Sequence, residues 1–165
     1  MKRTLLIALA IMSALCSKAQ TLPTETDSVL KVANSQVINL IKDIPDDVLP
    51  DYGFRNRQEF GAIRFDEPIP VYTLKDSTVV FTETWRVPLC IGKEVRSLLT
   101  VIRVNGNYQA VDFGATGLAK TFMANKTPET IGLLRVYELR TDFIMEKSAG
   151  DKPHFIRLDI EQETR

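Results

Sequence analysis

The first regular pattern in the chain is a stripe of apolar residues that recurs every three or four positions between about residues 25 and 43. This spacing puts the apolar side chains on one face of an α-helix. Thr24 and Asp27 have the spacing of a capping box at its start, and Pro45 ends the pattern. The stripe consists of Val29, Leu30, Ala33, Val37, Leu40, Ile41 and Ile44. We therefore predict a long amphipathic helix with one buried face.

The pattern changes to extended segments after about residue 69, where β-branched and aromatic residues become frequent. Asn105-Gly106 is a strong hairpin signal, because both residues tolerate the positive φ of a type I′ turn. Consecutive strands that are joined by short turns pair in antiparallel fashion. The predicted strands are 69–74, 78–91, 95–104, 107–113, 133–146 and 154–160.

These elements define a fold class. Leu118, Ala119 and Phe122 indicate a short second helix after the fourth strand. A helix with one apolar face and a sheet with one buried face pack against each other. The sequence thus predicts an α+β fold, in which one long N-terminal helix packs on a curved antiparallel sheet of about five to six strands, with a short second helix. Residues 20–165 are long enough to form a single α+β domain with its own core.

Residues 1–19 have the order of a secretory signal peptide. Two basic residues precede an apolar run, and the small residues Ser17 and Ala19 stand three and one positions before Gln20. We expect cleavage after Ala19 and export of the remaining chain. The apolar run is about half as long as the ~20 residues that span a bilayer, so we expect no stable membrane span.

Cys16 supports a second interpretation of this leader. Bacterial lipoproteins are cut before a cysteine that follows a small residue, whereas here Leu15 occupies that position. The alternative to a periplasmic or secreted protein is therefore a lipoprotein anchored through Cys16. Cleavage after Ala19 leaves Cys90 as the only cysteine, which is typical of a bacterial periplasm or exterior. The junction of Ala19 and Gln20 also resembles cleavage sites of Gram-negative bacteria.

The charge balance argues against nucleic acid as a partner. The whole chain has 21 basic and 21 acidic residues. The leader contains three of the basic residues and none of the acidic ones, so cleavage leaves a small net negative charge. Binding to phosphate backbones requires a basic surface. We therefore expect a protein or a small ligand as partner, and no nucleic acid.

The mature chain is poor in metal ligands. It has one histidine and one cysteine, whereas zinc sites use three or four ligands that are mostly of these types. Gly114 and Gly117 lie between a strand and a helix, where an anion can bind, but no P-loop lysine follows them. Four aspartates near the first helix lack the spacing of a calcium-binding loop: Asp43, Asp46, Asp47 and Asp51. We expect no metal site and no cofactor.

Cys90 and His154 are the only thiol and imidazole of the mature chain. Together they would form a nucleophile and its base, as in a small secreted hydrolase. Cys90 lies between Leu89 and Ile91 in a predicted strand, where a cysteine usually behaves as a small apolar residue. The structural interpretation is therefore favoured, and no catalytic residue is assigned.

Aromatic residues and arginines alternate in two segments, residues 52–57 and residues 85–86. This combination is frequent at protein interfaces. Pro88 cannot donate a hydrogen bond to a neighbouring strand, which favours an edge strand or a bulge beside it. The alternative is that Tyr52, Phe54 and Trp85 belong to the core. The predicted binding residues are Tyr52, Phe54, Arg55, Arg57, Trp85 and Arg86.

Taken together, these patterns favour an exported, non-enzymatic binding domain of a Gram-negative type of bacterium, with a protein or a small ligand as its partner. Two alternatives stay open at this point. One is an inhibitor of a secreted hydrolase, and the other is a small hydrolase that uses Cys90 and His154.

Overall fold

A computed structural model describes residues 22–150 and 152–159. The predicted signal peptide, its cleavage site and Cys16 lie outside the described residues. The N-terminal helix α1 spans Leu22–Ile41. Its buried face contains Val29, Ala33, Val37 and Ile41, which confirms the apolar stripe. Pro45 follows the end of the helix, and a 3-10 helix at Asp46–Tyr52 begins directly after it.

Eight strands form one mixed, mostly antiparallel sheet with the order β5-β4-β3-β2-β6-β7-β8, and β1 pairs with β3. The second helix, α2, spans Thr116–Asn125. The strands are β1 (Ile63–Phe65), β2 (Ile69–Lys75), β3 (Thr78–Ile91), β4 (Glu94–Val104), β5 (Asn107–Gly114), β6 (Thr130–Val136), β7 (Thr141–Glu146) and β8 (His154–Leu158). The predicted α+β class with a long and a short helix is confirmed.

Two details of the sheet differ from the prediction. The expected strand 133–146 is in fact two strands, because the chain reverses through the 3-10 turn Tyr137–Leu139 and Arg140 adopts a left-handed conformation with φ 49°. The short strand β1 was also not predicted, so the sheet has eight strands rather than five or six. In addition, β2 and β6 pair in parallel. A parallel pair needs a long crossover, which here runs through β3, β4, β5 and α2.

The hairpin between β4 and β5 forms as predicted. Asn105 and Gly106 have φ values of 51° and 78°, and Val104 pairs with Asn107. Both central residues therefore lie in the left-handed region that a type I′ turn requires.

The two helices α1 and α2 pack on opposite faces of the sheet at β4. Leu98 and Leu99 are neighbours in this strand, so their side chains point to opposite faces of the sheet. Leu99 packs in the core that contains the buried face of α1, whereas Leu98 packs with Leu118 and Phe122 of α2. No helix within the described residues has the length and apolarity to cross a membrane.

The edge strand β5 is tied to α1 by a side chain. The backbone N–H of Ala110 donates a hydrogen bond of 2.9 Å to Oε1 of Gln36. Because β5 is the last strand on this side of the sheet, no strand of the described residues lies beside its outer backbone groups. At Ala110, Oε1 of Gln36 accepts the hydrogen bond that a neighbouring strand would otherwise accept.

Candidate functional site

A surface groove of about 700 Å³ lies where three parts of the chain meet. One wall is the segment 50–55, which contains part of the predicted binding loop. The opposite wall is the start of α2, which follows the turn at Gly114–Gly117. Arg96 of β4 lies between them. The fold thus brings together two features that were separate in the sequence.

Gly53 allows the loop to approach β4 closely. Its φ is +88°, and a Cβ atom at this position would lie 2.5 Å from the carbonyl oxygen of Arg96. Nη1 of Arg96 in turn donates to the carbonyl oxygen of Gly53, at 3.3 Å. A residue with a side chain would therefore clash with the β4 backbone and would also strain its own φ.

Arg96 is the central charged side chain of the groove. It is only 13% exposed, and its Nη2 lies 3.3 Å from Glu59 and 2.8 Å from Glu94. Its Nε is buried without a hydrogen-bond partner in the described part of the chain. Arg96 was not among the predicted binding residues. The available signal was an arginine between Val95 and Ser97 in a strand that is otherwise rich in apolar residues.

The wall formed by α2 begins with an unusual turn. Gly114 has φ +143° and Ala115 is left-handed with φ 56°. Ala115 occupies the N-cap position. The hydroxyl of Thr116 instead donates to the carbonyl oxygen of Asp51, at 3.3 Å, and so joins α2 to the loop.

Two cations reach solvent at the groove, Arg55 from the loop and Lys120 from α2. The Arg55 side chain is 68% exposed, and its guanidinium lies 3.5 Å from the exposed carboxylate of Glu94. An exposed pair at this distance contributes little and can exchange partners. Lys120 forms no ion pair with any residue in the described ranges.

Tyr52 and Phe54 belong to the core rather than to an exposed rim. Phe54 is 1% exposed and packs edge-on against Phe60, with ring centroids 4.9 Å apart. The half-buried Tyr52 stacks on Phe113 at 5.0 Å. The aromatic rings were expected to face solvent as a binding surface, but burial of their apolar area anchors the loop instead.

Trp85 also lies in the core, at 4% exposure, between the rings of Phe81 and Tyr108. Its strand β3 is inside the sheet, so of the two alternatives predicted at Pro88 the edge strand is wrong, whereas an irregularity of the pairing is present beside it. β2 pairs with β3 up to Arg86, and β1 pairs with it from Leu89. Pro88 lies in the gap between these neighbours, where no N–H is needed, and a register shift follows at Leu89.

Arg86 is on the face of the sheet opposite to Trp85, because the two residues are adjacent in β3. Its guanidinium donates to the hydroxyl of Thr100. Burial lowers the pKa of Arg86, and the nearby charge of Arg135 lowers it further. Arg86 is not among the residues that line the groove.

Arg57 has a structural role at the end of α1. Its guanidinium donates to the carbonyl oxygen of Lys42, at 2.8 Å, to that of Ile44 and to the carboxylate of Asp46. A cation at a helix C-terminus satisfies the last carbonyl groups and opposes the helix dipole. Arg57 thus balances one of the aspartates that we considered as calcium ligands. No group of three or more metal-binding side chains occurs in the described part of the chain.

Cys90 and His154 are not neighbours in this fold. Three strands, β2, β6 and β7, separate β3 from β8 in the sheet. Burial raises the pKa of the Cys90 thiol, and the carboxylate of Asp66 raises it further. His154 lies 3.8 Å from Glu146. A thiol with a raised pKa and no adjacent imidazole is a poor nucleophile.

Comparisons of the chain with protein-family models, with curated proteins and with solved structures find no match. Any inference about function therefore depends on the geometry and chemistry of the chain itself.

Proposed function

We propose that the chain is an exported, non-enzymatic binding domain that holds an acidic segment of a partner protein in the groove between residues 50–55 and the start of α2. The observation that supports this most directly is the groove itself, of about 700 Å³, with Arg55 and Lys120 at its surface. The volume lies within the range of about 300–1,000 Å³ that is typical of binding sites.

The chemistry of the groove favours an acidic ligand. Arg96 pairs with both Glu59 and Glu94 and offsets one of their two charges, and Arg55 forms a longer, exposed pair with Glu94. Arg55 and Lys120 can then turn toward a carboxylate that enters from solvent. The N-terminal end of α2 adds a partial positive charge on the same side. The groove is open along the surface, which suits an extended peptide better than an enclosed small molecule.

An NMR titration tests this proposal. We expect a capped peptide of alternating glutamate and glycine to shift the amide signals of Gly53, Gly117 and Lys120, and the corresponding lysine peptide to leave them unchanged. Replacing Arg55 and Lys120 together by glutamine should weaken binding of the acidic peptide about fivefold or more, because two charge-assisted contacts are lost.

The double variant Arg64→Gln with Lys75→Gln is the matched control. It removes the same two charges from exposed positions outside the groove. We expect this variant to bind the acidic peptide as the parent protein does. Equal weakening in both double variants, or shifts that avoid the groove, would contradict the proposal.

The proposed export of the protein is tested by a separate experiment on its first residue. We expect the native protein to begin at Gln20, because Ser17 and Ala19 have the spacing that signal peptidase recognises. Intact-mass measurement of the protein from its native host determines the first residue. A species that begins at Cys16 and carries acyl chains would instead support the lipoprotein alternative.

A further inference from the structure

A second cavity, of about 280 Å³, lies away from the groove. It is enclosed by the start of α1, the start of β2, the end of α2 and the start of β6. Its apolar lining includes the side chains of Trp85, Phe122 and Ile131, together with Pro70. None of these residues lines the groove, so the two sites are distinct.

The aromatic lining gives this cavity a preference for flat apolar groups. Trp85 is held between Phe81 and Tyr108, and Phe122 is buried at 1% exposure, so both side chains are fixed before a ligand arrives. The rigid indole of Trp85 favours an aromatic ligand, since the two ring systems can pack edge to face. The volume is at the lower limit of ligand sites, which indicates a molecule with one ring.

Of the four charged side chains that line the cavity, Glu25, Glu67, Lys126 and Lys147, three form ion pairs. Lys126 lies 3.2 Å from Glu67, and Glu25 lies 2.8 Å from Arg103. Lys147 also lines the cavity, and it forms no ion pair with residues 22–150 or 152–159. An ammonium group without a partner beside an apolar wall favours a ligand that carries a carboxylate.

We propose that this cavity is a binding site for a small aromatic carboxylate, whose ring packs against Trp85 and whose carboxylate pairs with Lys147. This site is separate from the groove, and the proposal does not depend on peptide binding in the groove.

Fluorescence of Trp85 tests the proposal directly, because it is the only tryptophan of the chain. The probes are 3-phenylpropionate, 3-phenylpropan-1-ol and 3-phenylpropylamine, which share a ring and a linker and differ in the charge of the end group. We expect 3-phenylpropionate to change the emission of Trp85 saturably. The alcohol and the amine should bind about tenfold more weakly or worse, since they lack the pairing with Lys147.

Lys147→Gln should reduce the affinity for 3-phenylpropionate about tenfold and leave the weaker binding of the alcohol unchanged. Lys75→Gln is the matched control, since Lys75 is also an exposed lysine without an ion pair in the described ranges but lies outside the cavity. Far-UV circular dichroism and urea unfolding confirm that both variants fold. The proposal is overturned if the three probes bind equally, if none changes the emission of Trp85, or if Lys147→Gln binds 3-phenylpropionate as tightly as Lys75→Gln.

Discussion

Replacing Gly53 by alanine is expected to lower the free energy of unfolding by about 3 kcal/mol. Two costs contribute to this value. Alanine at φ +88° is strained, and its Cβ would lie 2.5 Å from the carbonyl oxygen of Arg96. The contacting atom belongs to the backbone of β4, so it cannot rotate away as the end of a flexible side chain could. Urea unfolding of the purified variant measures the loss.

Gly92→Ala is the matched control for this prediction. Gly92 has a φ of +62°, but a Cβ atom there would meet nothing within 4 Å. We expect it to cost only the backbone strain, about 1 kcal/mol. The difference between the two variants then isolates the contact between the loop and β4. If both variants lose the same stability, the loop does not depend on this contact and the groove wall is less fixed than we describe.

Trp85→Ala is expected to lower the free energy of unfolding by about 4 kcal/mol, as for other large truncations in a core. The reason is that Trp85 is 4% exposed and its ring packs against Phe81 at a centroid distance of 5.0 Å. Removing the indole leaves a cavity between α1 and the sheet. Urea unfolding followed by far-UV circular dichroism measures the effect, because the variant has no tryptophan.

The control for Trp85 is Tyr137→Ala, which removes an aromatic ring that is 63% exposed. Exposed positions of this kind usually change stability by no more than about 0.5 kcal/mol. A loss below about 1 kcal/mol for Trp85→Ala would instead favour the original hypothesis, in which Trp85 is part of an exposed binding rim.

Local patterns account for the parts of the fold that the sequence predicts correctly. The stripe from Val29 to Ile41 has the period of a helix, and Asn105-Gly106 has the backbone freedom of a tight turn. Each depends on residues that are close in the chain. The position of that turn sets the register of the hairpin from Val101 to Ala110, beyond which a bulge shifts the pairing by one residue.

Features that depend on distant residues were not predicted. The parallel pair of β2 and β6 joins residues about 60 positions apart, such as Val71 and Leu133. The local sequence of neither strand identifies the other strand as its pairing partner. The turn at Arg140 was missed for a different reason: it places an arginine in a left-handed conformation where glycine or asparagine is usual.

The candidate site was predicted in part. The loop near Phe54 and Arg55 and the turn near Gly117 were both noted, but their meeting depends on the folding of β4 and β5 between them. Aromatic residues and arginines are equally suited to cores and to interfaces. Neighbouring residues therefore could not show that Phe54 is buried, or that Arg57 binds the end of α1.

The hydrogen bond between Gln36 and Ala110 has a consequence for how copies of this protein meet. A free sheet edge can recruit a strand from another molecule, which leads to open-ended assembly and aggregation. At Ala110 the donor that such a strand would need is already occupied by Oε1 of Gln36. The helix α1 thus blocks strand addition at this position of β5, and we expect the contact to oppose self-association of a concentrated protein through that edge.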